Sequence, residues 1–287
     1  MTTDSLKAEP IDAASTPPAR TVRVNGLDMH VEIVGSGPEV LLLHGFPDSH
    51  TVWRKQVPAL VAAGFRVVAP DLRGYGETDI PCGGVSSYRI ETLVADVVAL
   101  LDDLGIAKVR LVAHDWGAAI GWAFAIAHPE RVERYVAISV GHPTSYARGG
   151  LKQKLMGWYI WMFQVRGLAE RILRLSDFAI LGFFSGYPQE LPTWRRLLDR
   201  PGRLTAALSY YRANLDLVWG LGGGDVKVPV MGVWSSRDVA LVERQMTNSA
   251  SFCKAGFRYE RIAGVGHWIP LEAPEKLNPL LIDFLRR

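Results

Sequence analysis

"LVAHDWGAAIG", Leu111–Gly121, reads as the end of a buried strand turning sharply into a helix. Small residues, Ala113 and Gly117, stand two positions on either side of Asp115. That spacing frames a strained strand–turn–helix elbow, which lifts its central side chain above the sheet edge as a nucleophile. The central residue is a carboxylate where a hydroxyl is usual, so the chemistry has to be read from that difference.

Outward from the elbow, strand and helix alternate. "TVRVNGLDMHVEIVG" is two alternating segments joined by Asn25-Gly26, a two-residue hairpin signal. "EVLLLHG" and "FRVVAPD" are short apolar runs of the kind buried on both faces of a parallel sheet. "YRIETLVADVVALLDDLG" has helical spacing and a glycine stop at Gly105. "KVRLVAHD", "WGAAIGWAFAIAHPE" and "VERYVAISV" continue as strand, helix and strand. After Val140 the rhythm breaks: residues 142–224 are helical in period, aromatic and basic. "VKVPVMGVWSS", "FRYERIAG" and "EAPEKLNPLLIDFLRR" then resume the sheet and close on an amphipathic helix. The expectation is an α/β fold, a mostly parallel central sheet flanked by helices, with an inserted helical cap. Its parts are a polar, flexible tail at 1–20, core at 21–141, cap at 142–224 and core again at 225–287.

The 287 residues carry a net charge of +3, too small an excess to argue for nucleic acid. Two cysteines, Cys82 and Cys253, make no disulfide framework and fit a reducing compartment. The first twenty residues lack a signal-peptide core, and no apolar run reaches the roughly 18 residues of a membrane span. A cytoplasmic protein is expected, and a homodimer is compatible with the sequence.

Four chemically capable pieces fall at strand ends, where open α/β sheets bind ligands. They are Asp115, the "HGFP" run His44–Pro47, Asp238 in "VWSSRD", and His267 in "GVGHW". Singly, an aspartate after a strand is usually an N-cap, a histidine beside a tryptophan a packed residue, and a Gly-Pro loop a turn. Together they run in the order nucleophile, acid, histidine, and that order favours catalysis.

With these motifs in view, the chain resembles the α/β-hydrolases of the epoxide hydrolase and haloalkane dehalogenase branch. The matching stretches are "HGFP", "DLRGYGETD", "HDWGAAIGW" and "GVGHW", from about Thr21 to the C-terminus. Ala113 departs from the glycine common there, and is equally small.

A serine attacking a saturated carbon would leave an ether that activated water cannot readily cleave. A carboxylate leaves an ester, which water can open at the aspartate's own carbonyl carbon. The substrate therefore carries a leaving group on a saturated carbon. His267, oriented by Asp238, is the expected base for that water, with Glu243 a more distant rival acid. The backbone N–H groups of Phe46 and Trp116 are the expected oxyanion donors.

The leaving group is to be read from the cap. "GWYIWMFQVRGLAE" and "LSYYRANL" resemble the epoxide hydrolase segments that contribute two ring-opening tyrosines, and the match falls on Tyr159 and Tyr211. Tyr210 leaves the second register open by one residue, and both tyrosines also suit plain cap packing. A haloalkane dehalogenase would instead use Trp116 with Trp158 or Trp161. It often carries asparagine where Phe46 stands, and a fluoroacetate dehalogenase carries arginine at Trp116. A retired hydrolase kept for ligand binding is the other alternative, although no triad member is lost. Trp116, Trp158 and Trp268 are expected to wall the pocket, for a small apolar epoxide and water. No metal or organic cofactor is called for. The cap carries eleven Lys/Arg against five Asp/Glu, a surplus that ordinarily marks a solvated face.

Overall fold

At Asn25 and Gly26 the backbone takes φ of 45° and 80°, the left-handed pair that a tight hairpin between right-twisting strands requires. They join β1 (Arg20–Val24) to β2 (Leu27–Val34), which pair antiparallel. The structure, a computed structural model, describes residues 20–220 and 223–287. Of the expected tail only Arg20 is described, and it opens β1. Of the glycine run that returns from the cap, residues 221–222 lie outside the described set.

Six further strands follow: β3 (Glu39–Leu43), β4 (Arg66–Pro70), β5 (Val109–His114), β6 (Val132–Ile138), β7 (Val230–Ser235) and β8 (Phe257–Ile262). They form one sheet in the order β1-β2-β4-β3-β5-β6-β7-β8. β2 meets β4 antiparallel and all later pairings are parallel. Both flanks of the parallel strands are covered, which is why β3 and β5 read as unbroken apolar runs.

The helices between strands are α1 (Val57–Ala62), α2 (Ile90–Asp103) and α3 (Trp116–Ala127). The chain moves one way along the sheet from β3 to β4 and the other way from β4 to β5. Right-handed crossovers therefore put α1 on one face and α2 and α3 on the other. Accordingly α2 packs on α3, and α1 packs on the C-terminal helix at Pro274–Arg286. The loops leaving β3 and β5 part to opposite faces, and this opens a crevice at their carboxyl ends.

Between Ser139 and Asp225 no described residue belongs to a strand. The cap is α4 (Pro143–Ala147), α5 (Gly150–Met156), α6 (Trp158–Gln164), α7 (Leu168–Arg174), α8 (Ala179–Ser185), α9 (Leu191–Leu198) and α10 (Arg203–Ala213). The core resumes with α11 (Glu243–Thr247), α12 (Ile269–Glu272) and α13 (Pro274–Arg286). Buried polar side chains bolt cap to core. Asn214 accepts from Ile90 N (2.7 Å) and donates to the Tyr88 and Tyr210 carbonyls. Tyr210 donates to the Arg73 carbonyl, and Gln153 of α5 bridges the Ala240 carbonyl and Val242 N–H.

Candidate active site

Asp115 follows β5 and stands at the N-cap of α3 with φ 51° and ψ −121°, a conformation that costs a residue with a Cβ about 1–3 kcal/mol. The turn closes only because its neighbours are small. A Cβ on Gly117 would stand 2.2 Å from the Leu43 carbonyl oxygen, and one on Gly45 would stand 2.4 Å from Asp115. In return the carboxylate is presented to the crevice beside the β3 loop. Its Oδ1 accepts the Phe46 N–H at 2.7 Å, and the Trp116 backbone N–H also faces it. Its Oδ2 lies 3.5 Å from His267 Nε2.

His267 follows β8 and holds Asp238 Oδ2 through Nδ1 at 2.8 Å. Asp238 follows β7, and its other oxygen takes the Ala240 and Leu241 N–H groups at 2.8 and 2.9 Å, so its orientation is imposed by backbone. Glu243, the rival acid, is engaged elsewhere, by the Tyr259 hydroxyl and Arg261. Burial disfavours charge on both Asp115 and His267, but each is the other's remedy. The His267 imidazolium, followed by His114 and the Trp116 N–H, keeps Asp115 below the usual carboxylate range. Asp238 and Asp115 push His267 up to about 10 against its burial. Both shifts favour a charged Asp115 beside a charged His267 at rest.

Tyr159 and Tyr211 line the cavity over Asp115, and their ring centroids are 6.0 Å apart. Burial, with Asp115 close by, raises both phenols well above 10, so both keep their protons. Tyr210 points away to the Arg73 carbonyl, which settles the register in favour of Tyr211 as the cavity residue. Arg212 secures this part of the helix by donating two hydrogen bonds to the Glu170 carboxylate and one to the Phe163 carbonyl.

Asp115, Tyr159 and Tyr211 line two adjoining spaces and are shared between them. One arm runs over Trp116, Val140 and Leu217; the other passes Phe46, His267 and Trp268 to Phe184 and Val239. Walls are apolar and aromatic, as small-molecule sites usually are. Trp116 and Trp268 thus stand where expected, but Trp158 does not. It is half-exposed on the outer side of α6, against Phe184, because Ile160 and Phe163 take the inward positions of that short helix.

Three supporting carboxylates and histidines escaped the motif reading. Glu272 accepts Gly266 N–H at 2.8 Å and Trp268 N–H at 3.1 Å, bracketing His267 from both sides. Asp48 sits between the indole N–H groups of Trp194 in the cap and Trp268 in the core, and burial pushes it up to about 7. His114 packs on His267 and bonds its carbonyl; burial holds it down to about 4. The signal for Glu272 was its place four residues after Trp268, about one helical turn beyond the residue that follows His267. His30, His50 and Asp71 are also close enough to share a cation. The Asp71 oxygens, however, are occupied by the His50 backbone and ring and the Glu77 N–H, so the trio reads as a brace for the loop after β4.

The profile of the alpha/beta hydrolase fold family matches residues 38–274. The chain belongs to the α/β-hydrolase fold family. Epoxide hydrolase 3 of Siraitia grosvenorii is 35% identical over 93% of this chain and 98% of its own. The structure of an epoxide hydrolase from Vigna radiata matches at 35% identity and a TM-score of 0.80, covering 93% of this chain and 97% of that one. One from Bacillus megaterium matches at 28% and 0.85, covering 93% and 100%. Within the fold family, then, the chain belongs to the epoxide hydrolase branch, and it is a hydrolase.

Proposed function

We propose that this chain converts small apolar epoxides to vicinal diols through an ester on Asp115. The observation that carries the reading is the pair of protonated phenols, Tyr159 and Tyr211, lining the space over a buried carboxylate. Asp115 Oδ2 attacks a ring carbon, the C–O bond breaks, and its electron pair goes to the epoxide oxygen. That oxygen takes hydrogen bonds from the two phenols. A phenol with a raised pKa donates without losing its proton to the neighbouring carboxylate.

Esterification cancels one of the two charges that hold His267 protonated. The imidazolium proton can then leave, matching the proton that the opened oxygen takes up. Neutral His267, steered by Asp238, now accepts a proton from water as the water attacks Cγ of Asp115. The charge arising on Oδ1 meets the Phe46 N–H, which already donates to that atom in the resting state, with the Trp116 N–H beside the same carboxylate. Collapse releases the diol and restores the Asp115–His267 ion pair.

The test is product analysis with styrene oxide and 1-bromobutane side by side, with intact-protein mass of a His267→Gln variant. Diol without bromide, and a variant mass raised by one substrate, are the expected results. Bromide release at a comparable rate would make the enzyme a dehalogenase. Heavy oxygen from labelled water in the first-turnover diol, rather than in Asp115, would exclude the ester.

A further inference from the structure

On α5 the usual order of burial is inverted. Its buried residue is polar, Gln153, fixed to the loop after Asp238. Its leucines, Leu151 and Leu155, are 72% and 64% exposed. On α6 the outward residues are again large and apolar, Trp158 and Trp161. A surface helix of a water-soluble protein normally does the opposite. The feature is local to the cap. Among the described residues, every large apolar side chain left exposed lies between 151 and 219, except Ile80 and Val239. Large apolar side chains concentrated on one part of a surface mark an interaction surface.

Charge says which partner fits. Residues 142–169 hold Arg148, Lys152, Lys154 and Arg166 and no aspartate or glutamate. The cap's ion pairs occupy other cations, Arg174 with Asp199, Arg195 with Asp177 and Arg212 with Glu170. Among the described residues no carboxylate pairs with the four. A two-fold dimer through this face would set its own cations against each other. An anionic bilayer surface complements both features at once: the headgroups meet the cations, and the leucines and indoles enter the acyl boundary.

We infer that the outer face of α5 and α6 is a docking surface for an anionic lipid bilayer. The face adjoins the reaction space. Phe184 lines one arm of the cavity, is itself 43% exposed, and packs on Trp158. An apolar substrate dissolved in the bilayer would reach that arm without crossing water. This last consequence rests on the epoxide reading, whereas docking is measured without substrate and stands apart from it.

The experiment is co-sedimentation of the full chain with phosphatidylcholine vesicles, with and without phosphatidylglycerol, at low and high salt. Binding is expected only to the anionic vesicles and is expected to weaken with salt. Brominated acyl chains should quench part of the tryptophan emission. Each cation near such a surface contributes about fivefold, so Lys152→Glu with Lys154→Glu should lose about thirtyfold or more in partitioning. Leu151→Ser with Leu155→Ser should abolish quenching. Both pairs should keep the parent turnover of a water-soluble epoxide. Equal sedimentation with neutral and anionic vesicles, or parent-like binding by both double variants, overturns the proposal. So does a dimer in solution that the leucine pair converts to monomer, because the face would then join two copies.

Discussion

Tyr210 and Tyr211 are adjacent in sequence and differ in placement, since one residue step along α10 separates a cavity face from the face bound to Arg73. Losing one well-placed donor to a developing charge costs about 3 kcal/mol, or about a hundredfold in rate. Pre-steady-state alkylation should therefore slow by about that factor in Tyr159→Phe and in Tyr211→Phe, and nearly stop in the double variant. Tyr210→Phe should alkylate at the parent rate and lose about 1 kcal/mol of stability with its buried hydrogen bond. Parent-like ring opening by the double variant would reduce both tyrosines to cap packing. His267 offers a second test at this scale. Its pKa rises from about 6.5 unfolded to about 10 folded, so the native state binds the extra proton between those values. The ion pair's contribution is complete below about pH 6.5 and is lost as pH rises through about 10. Urea midpoints should fall across that window, and His267→Gln should flatten the decline. A variant with the parent's slope would place the titrating group elsewhere.

At the scale of an element, the loop from β8 into α12 is the histidine's mount. Glu272 spends both oxygens on the N–H groups flanking His267, so the ring is held by its own backbone as well as by Asp238. Glu272→Ala should leave two part-buried donors without their partner, at about 1 kcal/mol. It should also slow ester hydrolysis more than ester formation, because only the second step needs an aimed base. Equal slowing of both steps would make Glu272 a plain structural brace. The elbow shows the same dependence from the opposite direction. Gly117 is required by the β3 backbone across the sheet, a contact between residues more than seventy positions apart.

For the whole molecule, the question is how a cap of short helices stays registered over the core. Its anchors are buried polar groups at scattered positions. Asn214 alone joins α10 to the segment entering α2 through three hydrogen bonds. Asn214→Ala should lower stability by about 2 kcal/mol and raise KM for apolar substrates as Tyr211 loses its fixed place. A urea midpoint and KM both unchanged would mean that the cap is held by other contacts.

The elbow, the hairpin, the βα alternation and the order Asp115, Asp238, His267 were legible in the chain, because each depends on spacing within a few residues. The break after Val140 was legible as the loss of that alternation, and the two tyrosine segments through their resemblance to known caps. Three-dimensional packing decided what no local spacing contains. It chose Tyr211 over Tyr210 and turned Trp158 outward in favour of Ile160 and Phe163. It also set Asp48 between the indoles of Trp194 and Trp268, partners that local reading had no reason to join. The reason is physical: periodicity records which faces of an element are apolar, whereas the final orientation of a short helix is set by the buried polar bonds that pin it. In this cap those bonds come from Gln153, Asn214 and Arg212, and their partners lie tens to more than a hundred residues away along the chain.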